Sequence, residues 1–166
     1  MRFLSVRNGF CVVTLLASTM SAHAQNRVVA SVADISGCWV TVQLSDSLRK
    51  LIQRPEFQEP AALVMCFEDD GSLRTIVANS PITMHLAEVH EAVAPLKPTM
   101  SYKIVRPGFL EQRIGETQSV AWVANFTPRQ NTLLGTTIPK EALALGAWDA
   151  QQQKAIHWRY MVRVPE

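Results

Sequence analysis

Residues 156–164, Ile-His-Trp-Arg-Tyr-Met-Val-Arg-Val, carry the clearest strand pattern in the chain. Bulky apolar and aromatic side chains alternate there with His157, Arg159 and Arg163, which is the period of two expected of a half-buried β-strand. The pattern predicts that the apolar set, from Ile156 to Val164, points one way and the charged set the other. We therefore expect His157 to be an exposed histidine on the outward face.

Other strand patterns precede this one and are joined by residues typical of turns. They lie at residues 36–44, at 62–68 and 73–78, at 102–106 and 110–114, at 120–126 and 132–138, and at 147–149, which we expect to pair with the last strand. The four pairs read as hairpins because Gly, Pro, Asp and Asn cluster between most of them. Short strands at this spacing predict a mainly β fold, an antiparallel meander that closes into a small barrel or a sandwich.

Two short helices are predicted to interrupt the meander. Asp46 is a suitable N-cap for residues 47–54, which end at a proline. Ser80 as cap and Pro81 at the first helical position introduce a second helix, whose apolar stripe includes Val89 and Val93.

The first 24 residues have the layout of a secretory signal peptide. Arg2 and Arg7 supply a basic start, residues 9–17 an apolar centre, and residues 22–24 an Ala-His-Ala cleavage site. The sequence thus predicts cleavage after Ala24 and a single mature β-rich domain at residues 25–166. We expect this domain to be exported to the periplasm or the extracellular space, without a stable membrane anchor.

The charge of the mature chain argues against a polyanionic partner. Of 16 basic residues, Arg2 and Arg7 leave with the signal peptide, so 14 face 14 acidic residues. A formally neutral domain with scattered Lys and Arg lacks the basic surface that nucleic acid binding requires.

Two of the three cysteines remain after cleavage. Cys11 leaves with the signal peptide, and Cys38 and Cys66 most simply pair in an oxidising compartment. The alternative is two buried free thiols.

No motif marks a metal site, a cofactor or a catalytic centre. His85 and His90 are five residues apart, which separates them by about 140° around a helix and so does not match H-E-x-x-H. No serine lies in a G-x-S-x-G context. A small hydrolase therefore requires a spatially assembled site, and a pocket-facing His157 beside an acid would be its sign.

Tryptophans are the more informative candidates, because each commits a large apolar area to a core or to a ligand cavity. We expect Trp122, Trp158 and Tyr160 to contribute to a ligand site, and packing in a filled core is the alternative. Small closed barrels hold at most one small ligand.

Gly37-Cys38-Trp39 resembles the G-x-W opening of lipocalins and related calycin barrels. The resemblance implies a structural role for these residues, with Trp39 at the closed end of an up-and-down barrel near an arginine of the last strand, Arg159 or Arg163. It also implies an internal site for a small apolar ligand. Residues 116–119 depart from the family, since they lack its Thr-Asp-x-x-Tyr type of second motif.

These patterns favour an exported, non-enzymatic binding protein whose barrel holds a small apolar ligand. The alternative is an exported interaction module with a filled core, such as an inhibitor or an envelope-assembly factor, whose partner is another envelope protein. A small hydrolase is the third hypothesis. We expect no cofactor for the binding protein, the interaction module or the hydrolase.

Overall fold

A computed structural model describes residues 27–57 and 59–166, and within these ranges eight strands close into an antiparallel barrel. Their bounds are β1 Gly37–Thr41, β2 Ala62–Phe67, β3 Ser72–Ala78, β4 Met100–Arg106, β5 Phe109–Ile114, β6 Gln118–Phe126, β9 Leu143–Asp149 and β10 Lys154–Arg163. The strands follow one another around the barrel in the order β1, β10, β9, β6, β5, β4, β3 and β2. The predicted mainly β barrel is confirmed, while the predicted signal peptide lies outside the described residues.

Three of the four predicted hairpins form, and the fourth prediction is wrong. β2 pairs with β3, β4 with β5, and β9 with β10. β6 does not pair with residues 132–138 but with β5 and β9. Residues 131–138 instead fold back on themselves as a separate two-stranded hairpin, β7 Asn131–Leu133 and β8 Thr136–Ile138. The reason is a tight turn at Leu134 and Gly135, both with positive φ, which uses the segment's hydrogen bonds locally.

The described residues contain three short α-helices, α1 Val32–Ile35, α2 Asp46–Ile52 and α3 Leu86–Val93, where the sequence predicted two. Helix α2 is capped by Ser45, whose hydroxyl accepts from the Leu48 N–H at 3.2 Å, so the predicted cap is one residue late. Helix α3 begins at Leu86 and not at Pro81 as predicted, since Glu88 reaches back to the His85 N–H at 2.8 Å. The longest of the three spans eight residues, so none in the described part of the chain could cross a bilayer.

The last strand faces the opposite way to the prediction. His157, Arg159 and Met161 lie opposite Ala147, Leu145 and Leu143, three residues of the barrel core. His157 is fully buried, so its predicted exposure is wrong.

The outer face of β10 is apolar because other elements cover it. Tyr160 and Val162 pack outside the barrel against Leu48 of α2 and Ile138 of the β7–β8 hairpin. Both faces of the strand are therefore buried along part of its length, and alternation by itself does not say which face is inside.

Cys38 and Cys66 form the predicted disulfide, which joins directly opposite residues of β1 and β2. The bond lies on the outer wall of the barrel, beneath Val89 and Val93 of α3. A cross-link spanning 28 residues stabilises the fold by about 3.5 kcal/mol in the chain-entropy model.

Candidate functional site

One end of the barrel is closed by Trp39 and the residues around it. The Trp39 indole N–H donates to the Ile35 carbonyl at 2.7 Å, and the Arg163 guanidinium lies 4.5 Å from the Trp39 ring. Arg163 also donates to the Ser36 carbonyl at 2.8 Å. Gly37 has φ +102°, and a Cβ there would lie 3.1 Å from Arg163, so this close packing favours glycine. These contacts make this end a rigid closure.

A buried polar cluster lies at the other end, six residues earlier along β10, or about 20 Å away. The Glu59 Oε1 atom accepts from His157 Nε2 at 2.9 Å and from Arg159 Nε at 2.6 Å, and Arg159 Nη2 lies 2.6 Å from the same oxygen as an ion pair. The exposed fractions of these side chains are 9 % for Glu59, 0 % for His157 and 13 % for Arg159. We call Glu59, His157 and Arg159 the ionic cluster. Buried charges of this kind are uncommon in small barrels and call for an explanation.

The charge state of Glu59 follows from these contacts. Burial by itself raises the pKa of Glu59, but the hydrogen bonds from His157 and Arg159 and the charge of Arg159 outweigh it, so the pKa lies below its ordinary value of 4.5. Glu59 is therefore a carboxylate at neutral pH, paired with the guanidinium of Arg159.

Two aromatic rings enclose the ionic cluster. The Phe57 ring stacks on the His157 imidazole, with centroids 4.3 Å apart and planes 18° apart, and its centroid lies 6.5 Å from that of the Trp122 ring, with the planes 62° apart. The Arg159 guanidinium lies 4.6 Å from the centre of the Trp122 ring. The Trp122 indole N–H donates to the Oε1 atom of buried Gln112 at 3.0 Å, which holds the ring in place. The end of the barrel thus combines flat aromatic walls with directed polar groups.

His157 has no nitrogen free for catalysis. Its Nδ1 atom accepts from the backbone N–H of Arg54 at 3.0 Å, so Nδ1 carries no proton. Nε2 must then carry the proton and donate to Glu59. A charge-relay histidine needs one nitrogen facing an acid and the other facing a nucleophile, and here a backbone amide occupies that second position. The arrangement holds a side chain in place and does not form a catalytic triad.

A solvent-open cleft of about 220 Å³ borders the ionic cluster. Its lining includes Glu59 and three cations, Arg49, Lys50 and Arg54. The Arg54 side chain donates a hydrogen bond from Nε to the Ile156 carbonyl at 3.3 Å. The approach to Glu59 from solvent therefore passes between positive charges.

The structure separates the three residues predicted to contribute to a ligand site. Trp122 lies inside the barrel at the ionic cluster. Trp158 and Tyr160 lie opposite Gly146 and Ala144 on the outer wall, where their rings are 6.5 Å apart and border an open cleft of about 170 Å³ with Asn125 and other residues. Burial beneath α2 raises the pKa of Tyr160. The three side chains do not line one cavity.

Sequence reasoning did not find Phe57, Glu59 or Gln112. Phe57 and Glu59 lie in the connection between α2 and β2, where no periodicity marks an inward side chain. Gln112 carried a weak signal, because it is two residues from Leu110 in the predicted strand 110–114 and therefore shares the face of a core residue. The sequence singled out Arg159 as a structural residue near Trp39. In the structure Arg159 lies against the Trp122 ring, and Arg163 lies against the Trp39 ring.

Fold and site together define a closed, disulfide-bonded antiparallel barrel with a rigid closure at one end and a buried ionic cluster at the other. Comparison of the chain with protein-family models, curated proteins and solved structures finds no significant match.

Proposed function

We propose that this chain is an exported, non-enzymatic binding protein of calycin type, which takes a small apolar ligand at the end of the barrel that contains the ionic cluster. One observation carries the proposal: Trp122, Gln112 and Arg159 face the barrel interior where the end is filled by side chains of a connecting segment. Ligand sites are generally apolar and aromatic, with a few polar groups that fix orientation.

Two further observations support the calycin type and export. Arg163 of the last strand lies against Trp39, the pairing that the G-x-W resemblance implies. The disulfide between Cys38 and Cys66 fits an oxidising compartment, in agreement with the signal-peptide pattern of residues 1–24.

A second candidate function uses the outer wall. Sixteen buried apolar residues form one packed cluster in the barrel, which favours the interaction module with a filled core. Trp158 and Tyr160 are partly exposed beside the 170 Å³ cleft, and aromatic side chains are enriched where proteins bind one another. On this alternative the partner is another envelope protein that contacts Trp158 and Tyr160.

A fluorescence titration of the mature protein distinguishes the two candidates. The ligands are the apolar dye N-phenyl-1-naphthylamine and fatty acids of graded length, and the variants Trp122→Phe and Trp158→Phe are a matched pair. We expect a saturable change in tryptophan emission near one equivalent, which Trp122→Phe abolishes and Trp158→Phe retains. No change at millimolar ligand, or a change that only Trp158→Phe abolishes, would overturn the barrel-end site.

A further inference from the structure

The ionic cluster joins two residues of the barrel wall to a carboxylate from a connecting segment. Arg159 and His157 belong to strand β10 of the barrel wall, whereas Glu59 comes from the connection between α2 and β2. His157 Nε2 and Arg159 Nε donate to one oxygen of Glu59, and Arg159 Nη2 lies 2.6 Å from the same oxygen. Charge-assisted hydrogen bonds from a guanidinium are a common means by which proteins recognise carboxylates.

The same connection also fills the aromatic slot. Phe57 stacks on His157 at 4.3 Å and packs at a tilt against Trp122 at 6.5 Å, so its ring contacts two aromatic rings of the barrel wall. Since His157 contacts both the Phe57 ring and the Glu59 carboxylate, the two groups lie side by side at the barrel end. Together they have the chemistry of an aromatic ring joined to a carboxylate.

We propose that Phe57 and Glu59 occupy the binding site as an internal surrogate, and that the ligand is a small aromatic carboxylic acid which displaces them. The ligand's carboxylate replaces that of Glu59 on Arg159 and His157, and its ring replaces that of Phe57. This inference rests on the proposed binding function and names the class of its ligand.

The charges around the approach agree with an anionic ligand. Arg49, Lys50 and Arg54 line the cleft through which solvent reaches Glu59. Like-signed groups at the mouth of a cleft raise the local concentration of an oppositely charged ligand. The tethered surrogate competes with that ligand at a high effective concentration, so the wild-type protein binds it more weakly than a variant without the surrogate's charge.

Calorimetric titration with 3-phenylpropanoate and its uncharged analogue 3-phenylpropan-1-ol tests the proposal. Glu59→Gln keeps an acceptor for His157 and removes the competing charge, so we expect the acid to bind at least tenfold more tightly than to the wild type. The alcohol should change by less than twofold. Phe57→Ala vacates the aromatic slot and should tighten the binding of both compounds.

Arg159→Met tests the recognition of the carboxylate. We expect acid and alcohol to bind this variant within twofold of each other, whereas Arg113→Met, at an exposed arginine of β5, should leave the preference for the acid unchanged. Near-ultraviolet circular dichroism shows whether Arg159→Met folds. If it does not, the binding of acid and alcohol to Glu59→Gln and to the wild type decides whether the site recognises a carboxylate.

The two possible failures are distinguishable. If acid and alcohol bind Glu59→Gln equally well and Trp122 fluorescence reports both, the barrel-end site stands and the carboxylate class is wrong. If neither compound binds the wild type, Glu59→Gln or Phe57→Ala at millimolar concentration, this inference fails, and the titration with N-phenyl-1-naphthylamine and fatty acids decides the proposed function separately.

Discussion

Replacement of Glu59 by alanine should destabilise the fold strongly. The change leaves the Arg159 guanidinium, 13 % exposed, and the buried N–H of His157 without their common acceptor. Removal of one partner of a buried ion pair costs about 3 to 5 kcal/mol, because the other charge stays desolvated. Glu59→Gln keeps an oxygen acceptor and should cost less, about 1 to 2 kcal/mol.

Urea unfolding at pH 7 measures these differences. We expect Glu59→Ala combined with Arg159→Met to cost at least about 1 kcal/mol less than the sum of the two single changes, because the double variant leaves no unpaired charge. A cost below about 1 kcal/mol for Glu59→Ala, with additive single changes, would show that Glu59 is not held in a buried ion pair.

The ion pair between Glu59 and Arg159 also predicts how the free energy of unfolding depends on pH. Because the folded pKa of Glu59 lies below its ordinary value of 4.5, its contribution is present above that value and is lost as the pH falls through the lower, folded pKa. The free energy of unfolding of the wild type should therefore fall more steeply below pH 5 than that of Glu59→Gln. Equal slopes of unfolding free energy against pH in the two proteins would refute a lowered pKa of Glu59.

Three further predictions concern the rest of the barrel. Replacing Cys38 and Cys66 together by serine should lower the free energy of unfolding by about 3 to 4 kcal/mol, and mass spectrometry of the non-reduced protein should find no free thiol. Gly146→Ala should cost about 1 to 3 kcal/mol by urea unfolding, since the new Cβ would lie 2.9 Å from the Trp158 ring. Arg163→Lys should lower the midpoint of thermal unfolding, because lysine cannot both stack on the closed-end tryptophan and reach two carbonyl groups.

Much of the fold could be predicted because its signals are local. Alternation along each strand and the connecting residues at 69–72, 107–108 and 150–153 identify the three hairpins that form. The disulfide followed from counting the cysteines that remain after the predicted signal peptide. The 131–138 hairpin was missed because its strands have only three residues each, too few for alternation to show.

The site could not be predicted because its partners are far apart in the sequence. Glu59 is 98 residues from His157 and 100 from Arg159. When the sequence of β10 is considered without Glu59, the pattern of its charged residues predicts a solvent-exposed face. The apolar side chains that include Tyr160 and Val162 have the pattern of an inward-facing set. They are apolar because α2 and the β7–β8 hairpin cover them on the outside of the barrel.

The most direct test of the central claim is where a bound ligand lies. Intermolecular nuclear Overhauser effects between 3-phenylpropanoate and labelled Glu59→Gln protein would locate the aromatic ring. We predict contacts from the ligand ring to Trp122 and His157 inside the barrel. Contacts confined to Trp158 and Tyr160 on the outer wall, or none at all, would contradict a binding site at the end of the barrel that contains the ionic cluster.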